Sequence, residues 1–242
     1  MEQFGLDHLW TNADVVQKAV AILLVIMSAM SWYVIAFKSW SLIRLQKVAA
    51  SAREAFWQSR SIAEGMEALG EDDTPFRTLA QAGLDCSQHH RHHEGTLGGA
   101  MGRSEWMASG LRASIDESAA KMQSGMSILA SVSSTAPFVG LFGTVWGIYH
   151  ALVAIGLAGQ ASLDKVAGPV GEALIMTALG LAVAIPAALG YNALVRANKN
   201  IVSRLNRFGY DLHAYFLTGT RVGEAAVTHA PTRLEAVSAA KV

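Results

Sequence analysis

The chain has 242 residues, of which 52% are hydrophobic and 16% charged, against about 25% charged in ordinary soluble domains, and its formal net charge is zero. That balance points to a membrane protein and gives no electrostatic reason to expect nucleic acid or a strongly acidic partner. Cys86 is the single cysteine, which excludes an intrachain disulfide framework.

The opening residues, MEQFGLDHLWTNAD, are acidic and lack the basic stretch of a cleaved signal peptide. Residues 1–18 are therefore expected as a periplasmic N-terminal segment. The first apolar run, residues 19–37, matches the roughly 20 residues that a helix needs to cross a bilayer. Trp32, Tyr33 and Trp40 cluster at its far end, as in an interfacial aromatic belt. Lys38, Arg44, Lys47 and Arg53 follow before any acidic residue, whereas Glu2, Asp7 and Asp14 precede the run with Lys18 as the only basic residue. The positive-inside rule then sets the N-terminus outside.

Residues 38–127 carry both signs of charge and read as a cytoplasmic helical domain. Helical patterning continues out of the first span towards Met66, and Glu71-Asp72-Asp73 breaks it. Thr74-Pro75 reads as N-cap and first helical position of a helix reaching about His90. The stretch QHHRHHEGTLGGAMG (88–102) reads as a polar, Gly-rich loop. Ser104 is expected to cap a last helix that runs straight into the membrane.

No charge occurs between Lys121 and Asp164. The polar stretch Ser131–Thr135 argues against a hairpin, so one long span at 128–157 is expected. A short periplasmic loop at 158–165 leads to a third span at 166–195. Arg196, Lys199, Arg204 and Arg207 then open the cytoplasmic segment 196–242, a helix followed by a flexible Ala-rich tail. The fold class is an all-α membrane protein with three transmembrane helices, N-out and C-in, and long cytoplasmic helical extensions.

Within the third apolar run stands one carboxylate, Glu172. A charged carboxylate at the centre of a membrane helix costs roughly 2.5–3.5 kcal/mol on insertion scales, and such residues face protein or water and mark ion pathways. At 1.5 Å per residue Glu172 lies about 10 Å along the helix from Lys165, and Thr177 about 18 Å, close to the midplane. Thr144 is mid-span in the antiparallel second helix, so the two threonines can share a depth. Glu172 and Thr177 are five residues apart, roughly 140° round the helix, and so can line one broad polar face. The functional reading is a proton-handling site, a titratable carboxylate with hydroxyls that donate and accept. The competing reading is a buried glutamate satisfied by a neighbouring helix, with threonines bonded to their own helix carbonyls. The insertion cost favours the first for Glu172; the threonines alone would favour the second.

Packing is the other signal. Gly143 and Gly147 form a GxxxG extended by Gly140 and Ala151, and Gly168, Gly171 and Gly180 thin the third helix. Such small faces let membrane helices approach closely and imply oligomerisation. Pro137 and Pro186 are expected to kink their helices. The cluster His89, His90, His92, His93 has no Cys or carboxylate at a structural-metal spacing, so it reads as solvated loop and no metal site is expected. His150 reads as interfacial. No nucleophile-and-base or paired-carboxylate motif is present, so no enzyme activity and no cofactor are expected.

The runs STAPFVGLFGTVWGIYHAL (134–152) and GPVGEALIMTALGLAVAIPAALGYN (168–192) resemble the MotA/TolQ/ExbB proton-channel family. The resemblance covers roughly residues 14–215, and the chain lacks the fourth span and larger cytoplasmic insert of MotA-like members. Its ExbB branch fits better than its TolQ branch. The resemblance implies a homo-oligomer, a pentamer in the bacterial inner membrane, around the helix of an ExbD-like single-span protein and working with a TonB-like protein. The assembly would use the proton motive force to power outer-membrane uptake of siderophores or cobalamin. The family's functional positions fall on Thr144, Glu172 and Thr177, thought to surround an Asp supplied by the ExbD-like helix. Alternatives are a TolQ-like subunit of an envelope system, a non-conducting scaffold with Glu172 as a buried contact, and a stand-alone channel.

Overall fold

The computed structural model describes residues 14–59, 61–70, 74–92, 102–158 and 163–219. Within these the chain forms six helices: α1 (Val15–Gln58), α2 (Ile62–Ala68), α3 (Pro75–His92), α4 (Arg103–Gln123), α5 (Met126–Ala158) and α6 (Leu163–Thr218). They distribute over two compact units, one from Met1–Ser41 with Gln123–Ala197 and one from Leu42–Met122 with Asn198–Val242. Three stretches are long and apolar enough to cross a membrane, Val15–Lys47, Met126–Leu157 and Val170–Thr218, and 28% of the most apolar window of each is buried in the chain. The remaining apolar surface needs lipid or other helices to cover it.

In the first unit the buried residues of α1 recur at a 4-3-4-3 spacing: Val20, Leu24, Met27, Ser31 and Val34. That is a narrow seam, the signature of a helix that meets its neighbours along one line and shows its other faces outward. Ser31 donates its hydroxyl to Ser28 O at 2.9 Å, so the polar group in the seam is satisfied locally. Trp32, Tyr33 and Trp40 are exposed by 57%, 70% and 75%, on the outward side that an aromatic belt requires. On α5 and α6 the seam is made by small residues. A Cβ on Gly140 would lie 2.6 Å from Met176 O and 3.0 Å from Gly180 Cα, and one on Gly180 would lie 2.7 Å from Ala136 O. The two backbones meet there with nothing between them. Pro137 lies inside α5 without ending it.

The second unit is held by aromatic packing. Phe208 is fully buried and meets Phe56 at 5.3 Å, Phe76 at 5.8 Å and Trp57 at 6.0 Å between ring centroids. Leu69, Leu79, Leu111, Ile201, Leu205 and Leu212 complete the core. Cys86 packs against Gly110, and burial, then the Asp85 carboxylate, pushes its thiol up, so it behaves as a small apolar group. Ser61 caps α2 by accepting the Glu64 N–H at 3.2 Å, the first half of a Ser-x-x-Glu box. Ser61→Ala is expected to destabilise the protein by about 1 kcal/mol, read as a lower denaturation midpoint of the full chain.

The helix at Pro75 starts where Thr74-Pro75 indicated, with Thr78 N–H bonded to Thr74 O. Three sequence expectations for this region change. Patterning towards Met66 is interrupted after Gln58, and α2 is a separate short helix. Over residues 88–92 the supposed loop is helical; His93–Met101, and the side chains of His89, His90 and His92, lie outside the described residues. The helix after Gly102 begins at Arg103 rather than at a Ser104 cap, and it does not run unbroken into the next span. It stops at Gln123, and Gly125 takes a φ of 75°, a left-handed conformation that glycine adopts without a Cβ clash. Ser104 lies inside α4, its hydroxyl 3.3 Å from His213 Nε2. The expectations for residues 1–13, for residues 159–162 of the 158–165 loop and for the tail from residue 220 fall outside the described residues.

Candidate functional site: a threonine pair between two spans

Thr144 is 6% exposed on the face of α5 that carries Gly140, Gly143 and Gly147. On α6 the facing residues are Ala173, Met176 and Gly180, at the matching 3-4 spacing. A Cβ on Gly143 would meet Met176 Cβ at 3.2 Å, and one on Gly147 would meet Ala173 Cβ at 3.1 Å. The glycines therefore set the helices close enough for side-chain hydroxyls to bridge backbone to backbone. Gly171 takes no part in this contact, and a Cβ there meets nothing within 4 Å. It lies two residues from Ala173, about 200° round the helix, and so on the opposite face.

Thr144 Oγ1 lies 2.5 Å from Thr177 Oγ1, 3.0 Å from Ala173 O and 3.2 Å from Gly140 O. A hydroxyl has one hydrogen, so Thr144 serves one carbonyl at a time. The consistent assignment has Thr177 donating to Thr144 and Thr144 donating to a carbonyl. That gives a directional two-hydroxyl chain between the helices, and reversing it turns both hydroxyls together. Glu172 is half-buried, immediately before the Ala173 whose carbonyl faces Thr144. The structure thus brings Thr144 and Thr177 into contact and leaves Glu172 outside the bonded pair, five residues before Thr177 on the same helix.

In the C-terminal half of α5 the structure assembles a cluster that the sequence reading missed. Asp14 precedes α1, and its Oδ2 accepts the Trp146 indole N–H at 3.0 Å while lying 3.8 Å from His150 Nε2. Its Oδ1 accepts the Val15 N–H at 2.7 Å, and its own N–H donates to Gln17 Oε1 at 3.1 Å. The spacing Asp-x-x-Gln is a legible capping pattern at a helix start, and Trp146 and His150 are an i, i+4 pair. What no local pattern discloses is that α1 delivers its cap to that pair. The Trp146 indole, then the Val15 N–H, hold the Asp14 carboxyl below its ordinary value of 3.8; partial burial opposes this, and His150 and Lys18 lower it a little further. The folded value is depressed, so the contribution to stability is complete above 3.8 and is lost as pH falls through the lower folded value. Trp146→Phe is expected to move the Asp14 titration back up towards 3.8, measured by carboxyl carbon NMR on aspartate-labelled full chain.

Two apolar helices packed through glycine and joined by a pair of hydroxyls define a helical membrane protein with a polar contact between two candidate spans. The sequence matches the MotA/TolQ/ExbB proton channel family over residues 71–207, and the chain belongs to that family. Among curated proteins it is 42% identical over 233 residues to biopolymer transport protein ExbB of Xanthomonas campestris pv. campestris (strain B100), covering 92% of each chain. It is 39% identical over 214 residues to biopolymer transport protein ExbB of Neisseria gonorrhoeae, covering 88% of this chain and 97% of that one. To Tol-Pal system protein TolQ of Pseudomonas aeruginosa it is 33% identical over 223 residues, 88% of this chain and 95% of that one. Family and apolar helices together make it a multi-pass membrane protein.

Proposed function

We propose that the chain is the ExbB-like subunit of an energy-transducing complex in a bacterial inner membrane, oriented N-out and C-in. Five copies surround the membrane helix of an ExbD-like single-span protein, and with a TonB-like protein the complex uses the proton motive force to power outer-membrane uptake. Thr144, Thr177 and Glu172 line the proton pathway, and the acid they serve comes from the partner's helix. The observation that carries this reading is the Thr144–Thr177 bond, which joins two candidate spans through hydroxyls, with the carboxylate Glu172 in one of the two apolar stretches. A structural polar contact would not require that carboxylate one position from the bonded carbonyl. The relatives named ExbB, at 39–42% identity over most of the chain, support the transport assignment.

Relatives named TolQ favour a second reading, a subunit of a Tol-Pal envelope system. Deleting the gene separates the two. Loss of growth on siderophore-bound iron, restored by the intact gene, supports the first; normal growth on that iron with new detergent sensitivity supports the second.

A further inference from the structure

Asp14 stands where α1 begins and engages α5 through one carboxylate. Trp146 holds Oδ2 by its indole N–H at 3.0 Å, and His150 Nε2 lies 3.8 Å from the same oxygen. The two rings are in contact, with centroids 4.8 Å apart, and His150 Nδ1 is 3.2 Å from Trp146 O. The Asp14 N–H in turn fixes Gln17 by its Oε1, and Gln17 is laid over Gly147, where a Cβ would lie 2.5 Å from Gln17 Nε2. Gly147 is one helical turn from Thr144. The start of α1 therefore bears on the stretch of α5 that presents the threonine pair.

The geometry points to Asp14, Trp146 and His150 as a protonation-sensitive clasp, positioning residues that hold the first turn of α1 against α5 and hold it hardest when the imidazole is charged and the carboxyl is ionised. A neutral imidazole at 3.8 Å adds little to the indole bond, whereas an imidazolium adds a charge pair on the same oxygen. The clasp is therefore tightest in solution acid enough to charge the imidazole but not to discharge the carboxyl, whose ionised form the indole N–H already favours. The other titratable groups nearby are Lys18 one turn along α1, Tyr149 beside His150 on α5, and Glu172 next to the Ala173 that lies against Gly147. His150 and Asp14 are 47% and 41% exposed, which limits the gain to that of a solvated ion pair.

The meaning of the clasp for proton-driven work rests on the function proposed above, in which this end of the helices faces the proton-rich side; the clasp itself does not. Hydrogen exchange on the purified full chain in detergent, without partners or a gradient, tests it. After correction for intrinsic rates, amides from Lys18 to Ala21 are expected to be about two- to fivefold better protected at pH 5.5 than at pH 7.5, the span of an exposed ion pair. H150Q is expected to abolish that difference while keeping the pH 7.5 protection, H150R to hold the higher protection at both values, and D14N to lower it at both. An H150Q protein that keeps the wild-type pH response, or a D14N protein with wild-type protection, overturns the clasp. Normal growth on siderophore-bound iron after deletion of the gene would instead overturn the proposed function and leave this measurement untouched.

Discussion

Glu172→Gln is expected to abolish proton-driven uptake while the protein still folds, inserts and assembles. Glutamine keeps the volume and hydrogen-bonding length of glutamate and removes only the titration, so a half-buried contact survives the change and a proton carrier does not. Groups that transfer protons contribute about 10²–10⁴-fold to the steps they serve, so the loss is expected to be about a hundredfold or more. Growth on siderophore-bound iron, with assembly followed by native mass spectrometry of the co-expressed complex, gives both readouts. Near-normal uptake in the variant would return Glu172 to the scaffold reading. Purified wild-type protein that conducts in liposomes without a partner would favour the stand-alone channel instead.

The second large effect is expected at a glycine. In Gly180→Ala the new methyl meets Ala136 O at 2.7 Å and Gly140 Cα at 3.0 Å, both backbone atoms that no rotamer change can move away. The helices must separate, and overpacking of this kind costs about 1–3 kcal/mol. The gain of up to about 1 kcal/mol from replacing a helical glycine offsets only part of it. Separation also lengthens the Thr144–Thr177 bond, so activity falls with stability. Gly171→Ala is the control: its methyl has open space, and the melting temperature of the detergent-solubilised chain stays the same or rises slightly. Equal melting of the two variants would contradict the contact.

How much was legible follows from which interactions are local. The three apolar stretches are visible in the sequence because bilayer thickness sets a length that composition alone can meet. Pro75 as a helix start was visible for the same reason, since its backbone constraint acts at its own position. Thr144 and Thr177 could be placed at a common depth by counting rise per residue, and the structure puts their oxygens 2.5 Å apart. The break at Gly125 was not legible. Neither flank carries a helix-breaking pattern, and a glycine alone does not say which of its conformations it takes.

Gly171 and Gly180 show where counting fails. Both are glycines in one apolar helix, and composition ranks them alike. Only the packing of α5 selects Gly180, because Ala173, Met176 and Gly180 fall on the facing side while Gly171 points away. The Asp14 cluster is the same lesson in polar form, for its members stand 132 residues apart between Asp14 and Trp146.

By itself, then, the sequence determined that this is a helical membrane protein with three apolar stretches long enough to span, one costly carboxylate and two hydroxyls at a common depth. Each of these follows from solvent transfer and helix rise, which act residue by residue. Tertiary structure alone decided which glycines bring the helices together, which hydroxyl faces which carbonyl, and that the cap of the first helix rests on the second span. Those are set by the rotation of one helix against another, a quantity that only contact between distant segments defines.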